Sequence, residues 1–169
     1  MLSNILGCFL LLNVFSVRSD NCPWNIPDLK PWSDPTTWDS GSIPSKGSSF
    51  DITQKILLDT QTESLGTVRL INGGMIVFSP DHQVKLIADN VLIMNNGSLI
   101  IGTPDCIYSS DTEIELTGEE GGMDTSFGYY TKGIYVDVGG NLDIHGQDKL
   151  SWTKLTETLT PIKPSSVSR

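Results

Sequence analysis

The chain has 169 residues, 11 of them Lys or Arg and 20 Asp or Glu, for a formal net charge of −9. That length suits one domain with a core of its own and is too short for two large ones. The acidic balance, with no clustered Lys and Arg, excludes a nucleic-acid role and argues against simple charge attraction to polyanions, acidic polysaccharides included.

Ile5 to Phe15 is mostly apolar, interrupted by Asn13, and too short to span a bilayer. Val17-Arg18-Ser19 follows it, so residues 1–19 read as a signal peptide cut near Ser19–Asp20, and the chain as secreted. No Lys or Arg precedes the apolar run, which leaves the terminal amine as its positive charge. No later segment is long and apolar enough for a membrane anchor. Of three cysteines, Cys8 lies in the signal segment. Cys22 and Cys106 then most simply form one disulfide, closing a loop of about 85 residues worth roughly 4–5 kcal/mol in the chain-entropy picture. Free or intermolecular thiols are the alternative.

Residues 20–49 are rich in Pro, Ser, Trp and Asp. Pro23, Pro27, Pro31, Pro35 and Pro44 exclude a long helix, and Trp24, Trp32 and Trp38 call for an ordered segment. This stretch is expected to cap the first turn of β-structure. From Phe50 the runs become short and β-rich: Phe50–Ile52, Ile56–Leu58, Val84–Ile87 and Ile114–Leu116. Gly118 to Gly128 reads as an acidic, Gly-rich loop. Lys149 to Leu155 is a further β-like run, and residues 160–169 form an expected disordered tail.

Three stretches, Val68–Val77, Val91–Ile100 and Ile134–Ile144, each read as strand, Gly-rich corner, strand. Gly74 and Gly97 lie 23 positions apart, and Gly140 a further 43, close to twice that. A fixed period of this size marks stacked β-structure. The expected class is all-β, a short parallel β-helix with an N-terminal Pro/Trp-rich cap. Asn-Gly between apolar runs is also a hairpin signal, so an antiparallel sandwich or roll is the alternative. In either fold the corner glycines are expected to supply positive φ.

Candidate chemistry is sparse. Asp137 and Asp143 flank Gly139-Gly140 and read as solvated strand positions, as do Glu113 and Glu115. His145 is the weak candidate for acid–base work, and a structural histidine bonding the corner backbone is the plainer reading. His82 follows Pro80-Asp81 in a turn without special context. Two distant histidines make no metal site, although an outward Asp ladder for calcium is an alternative; no metal and no cofactor is expected. No Gly-x-Ser-x-Gly elbow or phosphate loop is present in the sequence. Asn96-Gly97-Ser98 is a glycosylation sequon on a repeat corner. Trp24, Trp32, Trp38 and Trp152 are either sugar-stacking platforms or, more plainly, core and cap residues.

Lys132-Gly133-Ile134, then Gly139-Gly140-Asn141-Leu142-Asp143-Ile144-His145-Gly146, then Lys149-Leu150-Ser151-Trp152-Thr153, form an ordered set that resembles the extracellular eight-glycine domain. That domain occurs in the cell migration-inducing and hyaluronan-binding protein, a transmembrane hyaluronidase and the fibrocystins. The resemblance runs from about Cys22 to Leu159, giving expected boundaries of 20–159 for the domain. Cys22-Pro23 and Cys106 match the hyaluronan-related members. Trp32-Ser33-Asp34-Pro35 with Trp38 and Pro44 looks like the fibrocystin-type lead-in. The glycines that fit the set are Gly73 or Gly74, Gly97, Gly102, Gly118, Gly133, Gly140 and Gly146. Asn96 stands where a glycine is expected, and Asn tolerates positive φ.

The resemblance implies an extracellular β-module. The hyaluronan-related members are much longer, and their glycan-cleaving machinery uses sequence beyond this domain. The expected function is therefore a secreted, non-catalytic module binding hyaluronan, another matrix glycan or a protein partner. A fragment or relative of a hyaluronan-degrading glycosidase is the alternative, with His145 as its test residue.

Overall fold

The computed structural model describes residues 21–126 and 128–149. The expected signal peptide with Cys8, the expected tail, Trp152 and the Lys149–Leu155 run beyond Lys149 lie outside the described residues. In chain order the strands are β1 (Lys30–Pro31), β2 (Phe50–Ile52), β3 (Lys55–Leu58), β4 (Leu65–Leu70), β5 (Met75–Phe78) and β6 (Val84–Ile93). They continue as β7 (Ser98–Ile101), β8 (Thr112–Leu116), β9 (Met123–Asp124), β10 (Tyr129–Tyr130), β11 (Gly133–Val136) and β12 (Asn141–Ile144).

One sheet has the order β1-β3-β5-β7-β12 and the other β11-β6-β4-β2, with every neighbouring pair parallel. β8 pairs in parallel with the first half of β6, off the main path of the second sheet. Each coil thus passes from the second sheet through a corner into the first: β2 to β3, β4 to β5, β6 to β7, β11 to β12. This is a β-solenoid, and the parallel registers leave no place for the antiparallel sandwich. Asn-Gly here turns a corner and not a hairpin, because the strands that flank it pair with the next coil instead of with each other.

The 43-residue interval encloses one coil, not two. Val91 pairs with Ile134 and Leu99 with Leu142, so β6–β7 stacks directly under β11–β12. Residues 102–132 are an excursion. Within it β9, inside the stretch Gly118–Gly128 that the sequence suggested as loop, forms a small antiparallel pair with β10 just beyond it. Thr67 Oγ1 donates to Asp124 Oδ2 (2.7 Å) and pins the excursion to the outside of β4.

The corner is the same turn three times. Gly74 N–H donates to Ile71 O, Gly97 N–H to Met94 O and Gly140 N–H to Asp137 O, each at 2.8 Å. The turns also bond to one another, through Asn72 N–H to Asn95 O (2.8 Å) and Asn96 N–H to Gly139 O (2.8 Å). Positive φ falls on Gly73, Asn96 and Gly139, one place before the periodic glycine, and in the first two turns also on Asn72 and Asn95, two places before it. Gly74, Gly97 and Gly140 are needed for a different reason from the one the sequence suggested. A Cβ at these positions would overlap the carbonyls of Ile52, Leu70 and Ile93 in the coil below. Tight stacking, not handedness, excludes side chains there.

Inward residues form ladders along the solenoid. Ile52, Leu70 and Ile93 are in register and are 1%, 0% and 0% exposed, whereas Val136 above them is 49% exposed. Ile56, Ile76 and Leu99 repeat the pattern, with Leu142 half-buried at the end. Each fully buried aliphatic side chain contributes about 1.5–3 kcal/mol, so the middle coils carry the core. The lead-in closes the opposite end. β1 pairs with β3, and Trp32 N–H donates to Leu57 O (2.8 Å). Trp32 and Trp38 lie edge to face at 4.7 Å, with Trp38 Nε1 donating to Trp32 O (3.0 Å). Both are core residues of a cap.

Candidate functional site

Three features of the surface bear on function. The first is the corner ridge. Asn96 is exposed at φ +65°, on the outer rim of the stacked turns, with Gly97 buried behind it and Ser98 opening β7.

The second is the last coil, where the candidate acid–base groups lie. His145 is held by its backbone: its N–H donates to Ile101 O (2.7 Å) and its carbonyl accepts from Tyr108 N–H (2.8 Å). Its ring makes no hydrogen bond among the described residues, so the ring does not brace the corner as the plainer sequence reading expected. Asp137 Oδ2 accepts from Tyr129 O–H (2.6 Å) and Oδ1 from its neighbour Val138 N–H (2.7 Å). The Tyr129 bond, helped by that of Val138, holds the Asp137 carboxyl below the usual range. The same bond raises the Tyr129 phenol. Asp143 Oδ2 accepts from Asn141 Nδ2 (2.9 Å). Glu113 and Glu115 both pair with Lys85, the former at 3.2 Å, and their hydrogen bonds, that of Glu115 first, raise the lysine. The structure therefore brings Asp137 to Tyr129 and Asp143 to Asn141, and neither to His145. Among the described residues no group of three or more His, Cys, Asp or Glu is placed to hold a metal ion.

The third is a groove between the lead-in and the turn after β5, with a volume of about 330 Å³. Trp24, Asn25, Leu57, Ser79, Asp81 and Ser109 line it, together with Cys22 and Pro80. Cys22 and Cys106 are joined by a disulfide across 84 positions of sequence, which holds the lead-in against the excursion. Tyr108 completes the scaffold. Its ring meets Trp24 edge-on at 6.5 Å, and its hydroxyl donates to Ser79 O (2.8 Å). Burial pushes its phenol up. Ser110 Oγ donates to Pro80 O. Trp24 is half-buried, unlike Trp32 and Trp38, so of the described tryptophans it retains surface to offer. Asn25, Asp81 and Ser109 carry no signal in the sequence, because they come from three segments joined only in the fold. His82 sits nearby, its Nδ1 3.4 Å from Ser79 Oγ.

The remaining glycines of the resemblance are close-approach positions apart from one. A Cβ would crowd the His145 carbonyl at Gly102, the Lys132 amide at Gly118 and the Tyr135 ring at Gly133, while Gly146 faces open space.

A family model described as the G8 domain matches residues 37–156. The chain is 34% identical over 160 residues to the cell migration-inducing and hyaluronan-binding protein of Mus musculus, covering 92% of this chain and 11% of that protein. It is 30% identical over 166 residues to the cell surface hyaluronidase of Danio rerio, covering 90% of this chain and 12% of that protein. A Dictyostelium discoideum protein is 35% identical over 172 aligned positions, covering 93% of this chain and 16% of that protein. The chain thus spans 16% or less of the length of these relatives.

Proposed function

The chain belongs to the G8-domain family, and from that premise we propose that it is a secreted, non-catalytic β-solenoid module that holds a matrix glycan of the hyaluronan type. The observation that carries the reading is the match, along nine-tenths of the chain, to two relatives whose names specify hyaluronan binding and hyaluronidase. The Cys22–Cys106 bridge supports an oxidising, extracellular setting. Among the described residues no helix is long and apolar enough to cross a membrane. The proposal includes a signal peptide over 1–19, a domain over 20–159 and a glycan on Asn96.

Glycoside hydrolysis usually needs two carboxyl groups set across the scissile bond. Here Asp137 is bonded to Tyr129 of the excursion and Asp143 to Asn141 of its own strand, and neither carboxylate is bonded to His145. That arrangement supports binding over cleavage. The similarity to a hyaluronidase favours one second reading, a hyaluronan-degrading enzyme using His145.

The test uses the purified full chain and fluorescent hyaluronan of defined length, following both polymer size and co-migration. The expected result is co-migration with the polymer length unchanged. Shortened polymer overturns the binding reading in favour of the enzyme, and His145→Ala then loses turnover with the fold intact. Unchanged polymer without co-migration overturns the glycan reading and leaves a protein partner.

A further inference from the structure

The groove beside Trp24 deepens the glycan reading and rests on it. We propose that this groove is a subsite for an uncharged pyranose ring, the N-acetylhexosamine unit of a matrix glycan, and that it excludes the uronate unit.

The side-chain chemistry leads to that class. An aromatic face packs against the C–H face of a pyranose, and Trp24 is the described tryptophan that the core leaves half-buried. Around it stand groups with unspent hydrogen-bonding capacity. The Asn25 amide, the Asp81 carboxylate and the Ser109 hydroxyl make no side-chain hydrogen bond to the described protein, and all three residues are exposed. A carboxylate accepts from two neighbouring hydroxyls at once, and an amide both donates and accepts, which suits a ring bearing hydroxyls and an acetamido group. At about 330 Å³ the groove has room for one or two sugar rings.

Charge sets the selectivity. No Lys or Arg lines the groove, and Asp81 supplies a negative charge. A uronate carboxylate there would meet like charge without a compensating cation. A neutral unit meets no such penalty, so an alternating polymer would place its amino sugar in the groove and its uronate outside. This also reconciles a chain of net charge −9 with an acidic polysaccharide. Contact with the neutral unit does not need the basic patch that binding a polyanion by charge requires.

The walls are fixed before a ligand arrives. The disulfide, the Trp24–Tyr108 edge contact and the Tyr108–Ser79 hydrogen bond join the lead-in, the turn after β5 and the excursion. Little ordering is then left to oppose binding.

The experiment is calorimetric titration of the full chain with a linear oligosaccharide of N-acetylglucosamine and, separately, with a hyaluronan oligosaccharide, at low and high salt. The neutral oligosaccharide is expected to bind with an affinity that salt does not change. Trp24→Ala should weaken both ligands about tenfold, the value of one aromatic contact. The exposed pair Asn25→Ala with Asp81→Ala should weaken them similarly without touching the core, which covers the case in which the Trp24 variant loosens the lead-in. Hyaluronan binding that persists undiminished in both variants overturns the groove and leaves the glycan reading standing. Binding confined to hyaluronan and collapsing with salt overturns the neutral-unit selectivity. Binding of neither ligand to the wild-type chain overturns both readings.

Discussion

Replacing Gly97 by alanine tests the reason the solenoid stacks. Gly97 closes the middle corner turn, its N–H bonded to Met94 O at 2.8 Å. Its φ is not in the left-handed region, so alanine has no conformational objection to the site. Space is the obstacle: the new Cβ would overlap the carbonyl of Leu70 and lie 3.0 Å from Leu70 Cβ. The coils can part only by stretching Met94 N–H to Leu70 O (3.0 Å) or Ser98 N–H to Gly74 O (2.9 Å). Overpacking of a tight interior costs about 1–3 kcal/mol, and each weakened backbone bond about 1 kcal/mol more, for a loss of about 3–5 kcal/mol. At about 2–4 °C per kcal/mol for a chain of this size, the melting temperature falls by about 10 °C. Gly73→Ala is the matched control. It has nothing within 4 Å but a φ of +84°, so it pays only the left-handed strain of about 1–2 kcal/mol. Gly73→Asn should cost less again, since Asn96 holds the equivalent place in the next coil at φ +65°. Urea and thermal unfolding followed by circular dichroism give the ranking. A Gly97→Ala chain within about 1 kcal/mol of wild type, or one no worse than Gly73→Ala, would refute the close-approach argument.

Paired replacement of Cys22 and Cys106 by serine should lower stability by about 4–5 kcal/mol on the chain-entropy scale, read from urea unfolding; an unchanged midpoint would sink that account. The Tyr129–Asp137 bond predicts two pH effects. The lowered Asp137 value contributes stability above the ordinary carboxylate range that is lost as pH falls through it. The raised Tyr129 value contributes stability below the ordinary phenol range that is lost as pH rises through it. Tyr129→Phe should abolish the alkaline effect and return the Asp137 carboxyl signal in an NMR titration toward its ordinary range; an unmoved carboxyl argues against the bond. Asn96→Gln should remove the mass of one N-glycan from chain secreted by eukaryotic cells, and identical masses for variant and wild type would show the sequon to be unused.

Much of the architecture is local enough to be written along the chain. Short alternating runs, turn residues at a 23-residue spacing and an aromatic, Pro-rich lead-in specify stacked β-coils with a cap, because each coil's inward face and corner recur in sequence order. Asn96 in place of a glycine is legible for the same reason, since positive φ is a property of one residue. The rest depends on what lies in the neighbouring coil. Whether Asn-Gly closes a hairpin or turns a solenoid corner is decided by which strands pair across coils. The role of Gly74, Gly97 and Gly140 depends on carbonyls contributed from elsewhere, about 20 to 50 positions back in the chain. His145 looked chemically suggestive beside Asp143, yet the fold bonds that carboxylate to Asn141 and holds the histidine by its backbone. The groove at Trp24 could not be read at all from the sequence. Its polar groups come from residues 25, 81 and 109, which the disulfide, the Tyr108 contacts and the Ser110–Pro80 bond make neighbours.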